Sequence, residues 1–426
     1  MELKVLKGTK DYLPEEQIVR EAIIKILKKN FEKYGYKPIE TSILDFYELA
    51  SSKAGNEIIN EIYRLRDRGN RDLCLRYELT FKLAKLIGLN PSLRMPFKRY
   101  EIGKVFRDGP TTSARFREFT QCDIDCVGSE NLIFDTEILA LTFDVFNELN
   151  LDIFILLNDR KFLSGLLEEC GVEKEKIISA ILSIDKLEKY GKQNVIKELK
   201  DKGIKDESIM KIFYFFDKIK MKSNEEKINF FKKNLKNKLA LEGLKSLDEI
   251  LRLCKILNLK DIIFEPRLAR GLAYYTGPIW EVYLKKSKIK RSVAAGGRWD
   301  NLISKFLKTN KNYPATGISF GLDVIYEAVK GSLKEIKKIP QVLVIPINTL
   351  EESLKIAQKL RSAGISVDIS DKSLSKALDY ANKEGIEFCL IIGENELKQG
   401  KFRLKNMISG KEEMLKENEL IKKIKK

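Results

Sequence analysis

From residue 341 to 393 the chain alternates short apolar runs with amphipathic ones, and this rhythm restricts the fold more than any other feature. QVLVIP (341–346), ISVDI (365–369) and FCLIIG (388–393) read as strands. The stretches 350–363 and 373–384 read as helices that stop at Gly364 and Gly385. Apolar runs this short, separated by 3.6-periodic segments, are strands joined by helical crossovers. A β-α-β-α-β order implies a small parallel or mixed sheet covered by helices. A charged linker, Lys330–Pro340, precedes it. A chain of 426 residues exceeds one ordinary core, so 338–426 is predicted to be a domain of its own.

Upstream, residues 161–258 are dense in Lys and Glu, helical in period and without a convincing strand, which predicts an all-α insertion. It divides two strand-bearing parts, 1–160 and 259–330. In the first, Pro14 opens a helix ending at Gly35, since proline is tolerated in a first helical turn. Residues 97–107 and 116–128 read as strands joined by Asp108–Arg115, and 130–150 as a helix. In the second, strands fall at 261–266 and 279–284, a glycine-rich stretch at 294–298, and a strand running into a helix at 317–327. The fold class is therefore α+β with several domains. The basic end, 421–426, reads as a frayed helix terminus.

No histidine occurs anywhere in the chain. That removes Ser-His-Asp and Cys-His catalysis and histidine-ligated metal sites. Arginines, carboxylates, amides and hydroxyls remain, a set suited to nucleotidyl transfer, where positioning and electrostatics dominate. The net charge of +17 favours an anionic partner such as nucleic acid, although lysine enrichment throughout the chain gives the same number. Cysteines at 74, 122, 126, 170, 254 and 389 form no Cys-x-x-Cys pair, so reduced thiols are expected. The residues after Met1 lack a signal-peptide core and no apolar run matches a bilayer, so the cytoplasm is the expected compartment.

Three arginines, Arg107, Arg115 and Arg117, flank the loop between the strands at 97–107 and 116–128. Guanidinium forks match phosphate oxygens, although such a hairpin is as often a solvated edge. The second strand weighs toward a site: Gln121, Asp123 and Asp125 alternate onto one face. In LRYELT (75–80), Arg76, Glu78 and Thr80 would share a strand face, with Glu78 suited to an ammonium group; an ordinary surface strand fits as well. Arg270-Gly271 permits close approach to a ligand, and Tyr274-Tyr275 offers one ring to the core and one hydroxyl to a site.

These segments resemble a known family. FRDGPTTSARFREFTQCDIDCVG (106–128) is similar to motif 2 of class II aminoacyl-tRNA synthetases. RGLAYYTG (270–277) and SVAAGGRWDNL (292–302) resemble the two signature segments of histidyl-tRNA synthetases; GTKDYLP, LRYELT and NDRKFL (158–163) match too. IIGENELKQGKFRLKNM (391–407) resembles the family's anticodon-binding domain. The resemblance covers nearly the whole chain. It implies an antiparallel catalytic sheet with flanking helices, an all-α insertion and a C-terminal α/β anticodon-binding domain. It implies activation of histidine with ATP and Mg²⁺, transfer to the 3′ end of tRNA(His), and a homodimer away from membranes.

Carried over residue by residue, the resemblance places Arg107 and Arg270 as catalytic and ATP-binding, with Arg115 and Arg117 on the outer phosphates or adenine. Glu78 and Gln121 would bind the histidine α-amino group, and Asp125 and Tyr275 would read its ring nitrogens. Thr80 and Tyr274 would also belong to the histidine-binding set. No protein side chain is assigned to a metal. The chain departs from the pattern at Ser42, where a proline is usual at the dimer interface, and at Ala273, where an aspartate is common. It departs again at Val324, where an arginine usually clamps ATP; Arg267 and Arg298 are the candidate substitutes. Two other readings share the residues: a non-catalytic histidine-sensing regulatory paralogue, and a tRNA-sensing module. The C-terminal segment together with Arg107, Gln121 and Arg270 favours the enzyme.

Overall fold

The computed structural model describes residues 3–51, 56–111, 116–270, 274–330 and 340–425. The chain forms two compact units, Met1–Ser332 and Leu333–Lys426. The linker expected at 330–340 lies outside the described residues except for its two end residues.

The strands of the first unit are β1 (Lys37–Pro38), β2 (Leu44–Phe46), β3 (Arg64–Arg66), β4 (Asp72–Leu75), β5 (Phe97–Phe106), β6 (Glu118–Val127), β7 (Ile153–Asp159), β8 (Ile262–Phe264), β9 (Pro278–Leu284), β10 (Ala294–Arg298) and β11 (Ala315–Gly321). Eight of them build one sheet in the order β1-β5-β6-β11-β10-β9-β7-β8; β2, β4 and β3 form a small second sheet. The central ladders are antiparallel, and Glu101, Asp123, Ser319, Ala295 and Glu281 lie opposite one another in a row across five strands. Side chains alternate along a strand, so this row and those two residues away define one face. We call it the front. It carries Arg99, Glu101, Gln121, Asp123, Asp125, Ser319 and Glu281.

The back carries Cys122, Ile124, Ile318, Phe320, Trp280 and Val282, all buried. It is covered by helices Pro14–Lys33, Ile133–Glu148 and Lys238–Ile256. Phe31 and Phe146 both pack on Phe320, with centroids 5.6 and 6.0 Å away. Ile23, Leu27 and Phe31 recur at helical spacing, which is why Pro14–Lys33 forms and which side it buries.

Residues 160–256 fold as successive helices from Arg160–Glu169 to Lys238–Ile256. Their starts are encoded locally. Asp159 caps the first through the Lys161 and Phe162 amides, Ser223 and Glu226 form a capping box, and Asn237 caps the last.

Two expectations are overturned. Residues 76–80 are not a strand: β4 stops at Leu75, and Thr80 opens helix Thr80–Leu89. Leu83, Ala84 and Ile87 pack with Leu302 and Ile303, and this 3.6-period apolar set outweighs the alternating polar pattern. The basic end does not fray. Helix Glu417–Lys425 buries Leu420 and Ile424 in the core of the second unit. In addition, the glycine-rich stretch 294–298 is central strand β10. A Cβ on Gly296 would lie 2.1 Å from the Gly317 carbonyl oxygen, so the close strand approach requires glycine.

The second unit has the sheet order β13-β12-β14-β15-β16, from β12 (Val342–Ile347), β13 (Val367–Ile369), β14 (Phe388–Gly393), β15 (Phe402–Asn406) and β16 (Glu412–Leu415). β13, β12 and β14 are parallel and β15 and β16 antiparallel, with an apolar core on each face. Gly364 and Gly385 follow their helices with φ of 81° and 65°, a conformation glycine adopts without steric cost.

Candidate active site

The front face gathers buried charge. Glu78, Asp123 and Asp125 are 3% exposed, Glu101 1% and Arg99 not at all. Register explains why they meet: Asp123 faces Glu101 and Ser319, and Asp125 faces Arg99 and Gly317. Glycine at 317 is required, because a Cβ there would sit 2.0 Å from Asp125 Oδ1. Gly103 likewise leaves room for the Arg76 guanidinium, whose Nη2 is 2.2 Å from where a Cβ would be. Arg76 binds Glu101 (3.0 Å) and the carbonyls of Thr41 and Lys104. It therefore lies on the front side over Gly103, where its donors are taken up by Glu101 and two carbonyls.

The floor is under-satisfied. Glu78 Oε1, Gln121 Oε1, Asp123 Oδ1 and Asp125 Oδ2 are buried without hydrogen-bond partners. Arg99 Nη2 lies 2.5 Å from Asp125 Oδ2, a charge contact without hydrogen-bond alignment. Burial pushes the Glu78 carboxyl up to about 7; Arg107 and Arg270 pull it back and Asp125 adds to the rise. Burial also raises Asp123 to about 7 and Asp125 to about 6, against the pull of Arg99. Buried carboxylate oxygens without protein partners are costly, and an ammonium or ring N–H would satisfy them. Gln121 donates to Ser319 Oγ (3.0 Å), which aims its free carbonyl oxygen.

Around this floor stand the remaining predicted residues. Arg107 follows β5, stacks over Tyr77 (4.2 Å) and Phe119 (5.1 Å), and influences Glu78. Arg117 immediately precedes β6; its amide donates to the Gly8 carbonyl (2.7 Å), and its guanidinium is paired with Asp108 at 3.3 Å. Arg115 and Ala273 lie outside the described residues. Thr80 is buried at the helix start beside Glu78 in sequence. Tyr274 and Tyr275 contact each other, their rings 4.9 Å apart, and both are in charge contact with Glu78 and Arg270. The structure thus brings Glu78, Gln121, Asp123, Asp125, Arg107, Arg270, Tyr274 and Tyr275 to one place.

The Asn158-Asp159-Arg160 segment sets the loop that carries Arg270. Asn158 Nδ2 donates to the carbonyls of Pro266 (3.1 Å) and Leu268 (2.8 Å), and the Arg160 amide donates to Gly277 (2.8 Å). Arg298 points to the back face, bound to Asp135, Asp300 and the Ser129 carbonyl. Arg267 is held by both oxygens of Glu265. Neither is placed to replace an arginine at Val324. Val324 Cγ2 lies by Gly321, opposite Gln121 in the ladder. Arg20 pairs directly with Asp323 at 2.6 Å, and Arg291, which the sequence reading passed over, feels both Asp323 and Glu327. Glu101, Arg99 and Glu281 were also passed over. Period-two alternation within β5 and β9 marks their faces, but only the cross-strand register puts them beside Asp123.

The site can hold an ammonium group, a polar ring with two hydrogen-bonding positions, and phosphates beside two arginines. Comparisons with known proteins agree with that inventory. Residues 8–325 match the family model for histidyl-tRNA synthetase, and 341–426 that for an anticodon-binding domain. A Bacillus cereus histidine–tRNA ligase is 46% identical over 419 residues, 97% of either chain. The crystal structure of histidyl-tRNA synthetase from Nostoc superposes with a TM-score of 0.86 at 30% identity, covering 100% of this chain and 99% of that one. A Bacillus halodurans structure described as an ATP phosphoribosyltransferase regulatory subunit/histidyl-tRNA synthetase has a TM-score of 0.76 at 18% identity, covering 92% of this chain and 97% of that one; it shows a shared fold.

Proposed function

The chain belongs to the histidyl-tRNA synthetase family, enzymes that join histidine to tRNA at the expense of ATP, and from that premise we propose how its front-face residues divide the work. Histidine lies on the β6 floor with its α-ammonium toward Glu78, Thr80 and the Gln121 carbonyl oxygen. Its ring lies toward Asp125, Tyr274 and Tyr275. A carboxylate and hydroxyls can meet both ring nitrogens, and a site built on such pairing rejects residues lacking them by roughly 10⁴-fold or more.

ATP places its α-phosphate between Arg107 and Arg270, with Arg115 and Arg117 toward the outer phosphates or adenine. The histidine carboxylate attacks the α-phosphorus, pyrophosphate leaves, and histidyl-adenylate forms. The 3′-terminal hydroxyl of tRNA(His) then attacks the activated carbonyl and AMP leaves. Arg107 and Arg270 act by offsetting charge that develops on the phosphate oxygens. Among the described residues no group of three or more carboxylates or thiols is gathered to hold a metal. Mg²⁺ fits best as an ion carried in by the ATP phosphates.

The observation that supports this reading most is the set of orphaned, buried carboxylate and amide oxygens on one sheet face beside two arginines. Arg291, near the start of helix Leu322–Val329, is our candidate to supply the charge absent at Val324. A homodimer is supported by the exposed apolar side chains Ile43, Leu44 and Phe46 around edge strand β2. No helix among the described residues is long and apolar enough to cross a membrane, and the cytoplasm is the compartment we propose.

Histidine-dependent ATP–pyrophosphate exchange tests the reading. Exchange with histidine alone, lost in Arg107→Ala, is the expected result. Histidine binding without exchange would favour a regulatory role instead.

A further inference from the structure

We propose that Glu281 and Tyr283 are positioning residues for Arg270, holding its guanidinium in the orientation that adenylate formation needs. This rests on the reading of Arg270 given above. Glu281 is on the front face of β9, in the same cross-strand row as Asp123, Ser319 and Ala295. Its Oε1 accepts a hydrogen bond from Arg270 Nη1. Its Oε2 accepts from the Tyr283 hydroxyl at 2.5 Å. Tyr283 is itself fixed by stacking on Phe154, centroids 5.5 Å apart and planes 17° from parallel. A chain of contacts thus runs from a packed ring through a carboxylate to the guanidinium.

The arrangement is selective about which donors it uses. A guanidinium carries five N–H donors. Glu281 takes Nη1, while Nε is buried with no partner in the protein. Part of the fork is therefore anchored and part is left for a ligand. Tyr275 also meets the guanidinium, and beyond it Glu78 is a carboxylate whose Oε1 lacks a partner and whose titration already feels Arg270. Arg270 collapsing onto Glu78 would remove the charge from the α-phosphate and fill the place of the substrate ammonium. Glu281 keeps the two apart. An arginine side chain has many rotamers to lose, so fixing it in advance favours the transition state.

The test is ATP–pyrophosphate exchange on the full chain, with kcat and both KM values, for Glu281→Gln, Tyr283→Phe, the double variant and Arg270→Ala, with melting temperatures alongside. Glu281→Gln should lower kcat by about 10²-fold, the size of effect a misplaced catalytic group produces, with the KM for ATP little changed. Glu281→Asp should recover part of the loss. Tyr283→Phe keeps the stacked ring and should give a smaller loss, and the double variant should be no worse than Glu281→Gln, since both act through one guanidinium. An unchanged kcat in Glu281→Gln overturns the inference. So does a loss that comes with a lowered melting temperature and both KM values raised, the pattern of a merely structural residue. Arg270→Ala separates the two levels. If it leaves kcat intact, the role of Arg270 itself is wrong; if it lowers kcat while Glu281→Gln does not, only the positioning claim fails.

Discussion

Asp125 and Asp135 are both buried carboxylates beside an arginine, on opposite faces of one sheet. On the back, Asp135 Oδ1 accepts from Thr316 and Oδ2 from Arg298, and Asp300 and the Ser129 carbonyl take further Arg298 donors. Both carboxylate oxygens are matched. On the front, Asp125 Oδ2 faces Arg99 at 2.5 Å without hydrogen-bond alignment, and neighbouring Asp123, Glu78 and Gln121 each leave an oxygen unmatched. The same residue types do opposite jobs. Where polar atoms satisfy one another they hold the fold together, and where they are left wanting they define what a ligand has to supply.

The comparison breaks most readily at the two arginines. Arg270→Ala should lower exchange kcat by roughly 10²–10³-fold, the range seen when a donor to a developing anion is removed, and should cost less stability than Arg298→Met because the Arg270–Glu281 pair is more exposed. Arg298→Met should do the reverse. It strands Asp135 as an unpaired buried charge, which costs about 3–5 kcal/mol of stability, while the folded fraction keeps its kcat. Denaturant melts and kinetics on both variants check this, and swapped outcomes would dissolve the distinction between the faces.

Arg291→Ala is next in size. Losing a charge-assisted contact to the nucleotide should raise the KM for ATP by about tenfold or more, equivalent to roughly 1.5–3 kcal/mol. Arg267→Ala, whose guanidinium is occupied by Glu265, should change it little. Equal effects would return Arg267 to consideration.

The pH dependence sharpens the comparison further. Burial raises Glu78, Asp123 and Asp125 from ordinary values of about 4 to about 7, 7 and 6. A raised carboxyl binds its proton more tightly in the folded state. Its contribution to stability is therefore complete below pH of about 4 and is lost as pH rises through about 6–7. Asp123→Asn fixes the neutral form, so its melting temperature should gain on the parent as pH rises from 5 to 8. A gap that stays constant would show that Asp123 is ionised throughout. The smallest effect expected is at Gly103. Gly103→Ala pushes on Arg76 where it pairs with Glu101 and should cost about 1–3 kcal/mol of stability with modest kinetic change.

Much of this was legible in the sequence because it is local. The alternation Gln121-Cys122-Asp123-Ile124-Asp125 gave the floor, and the rhythm after 341 gave the parallel strands and their two crossovers. What failed depended on distance along the chain. The polar alternation at 76–80 looked like a strand because the packing partners Leu302 and Ile303 are more than 200 residues away. The run AAGGR was marked only as glycine-rich, because glycine disfavours strands except where a neighbouring backbone must come as close as Gly317 does to Gly296. Arg298 was read as a possible ATP ligand because a residue's face in β10 follows from register with β9 and β11, which no local pattern reveals. The same holds for Arg99, Glu101 and Glu281, which join the site only across strands.

The central claim is that the unmatched oxygens of the front face read histidine, and Asp125→Asn tests it most directly. The measurement is kcat/KM for histidine in ATP–pyrophosphate exchange, with the KM for ATP as control. The account predicts a fall of about 10²-fold or more with the ATP value unchanged, since a buried reader of the ring is replaced by one with a donor where an acceptor belongs. Unchanged kcat/KM for histidine would contradict it and move histidine recognition away from β6.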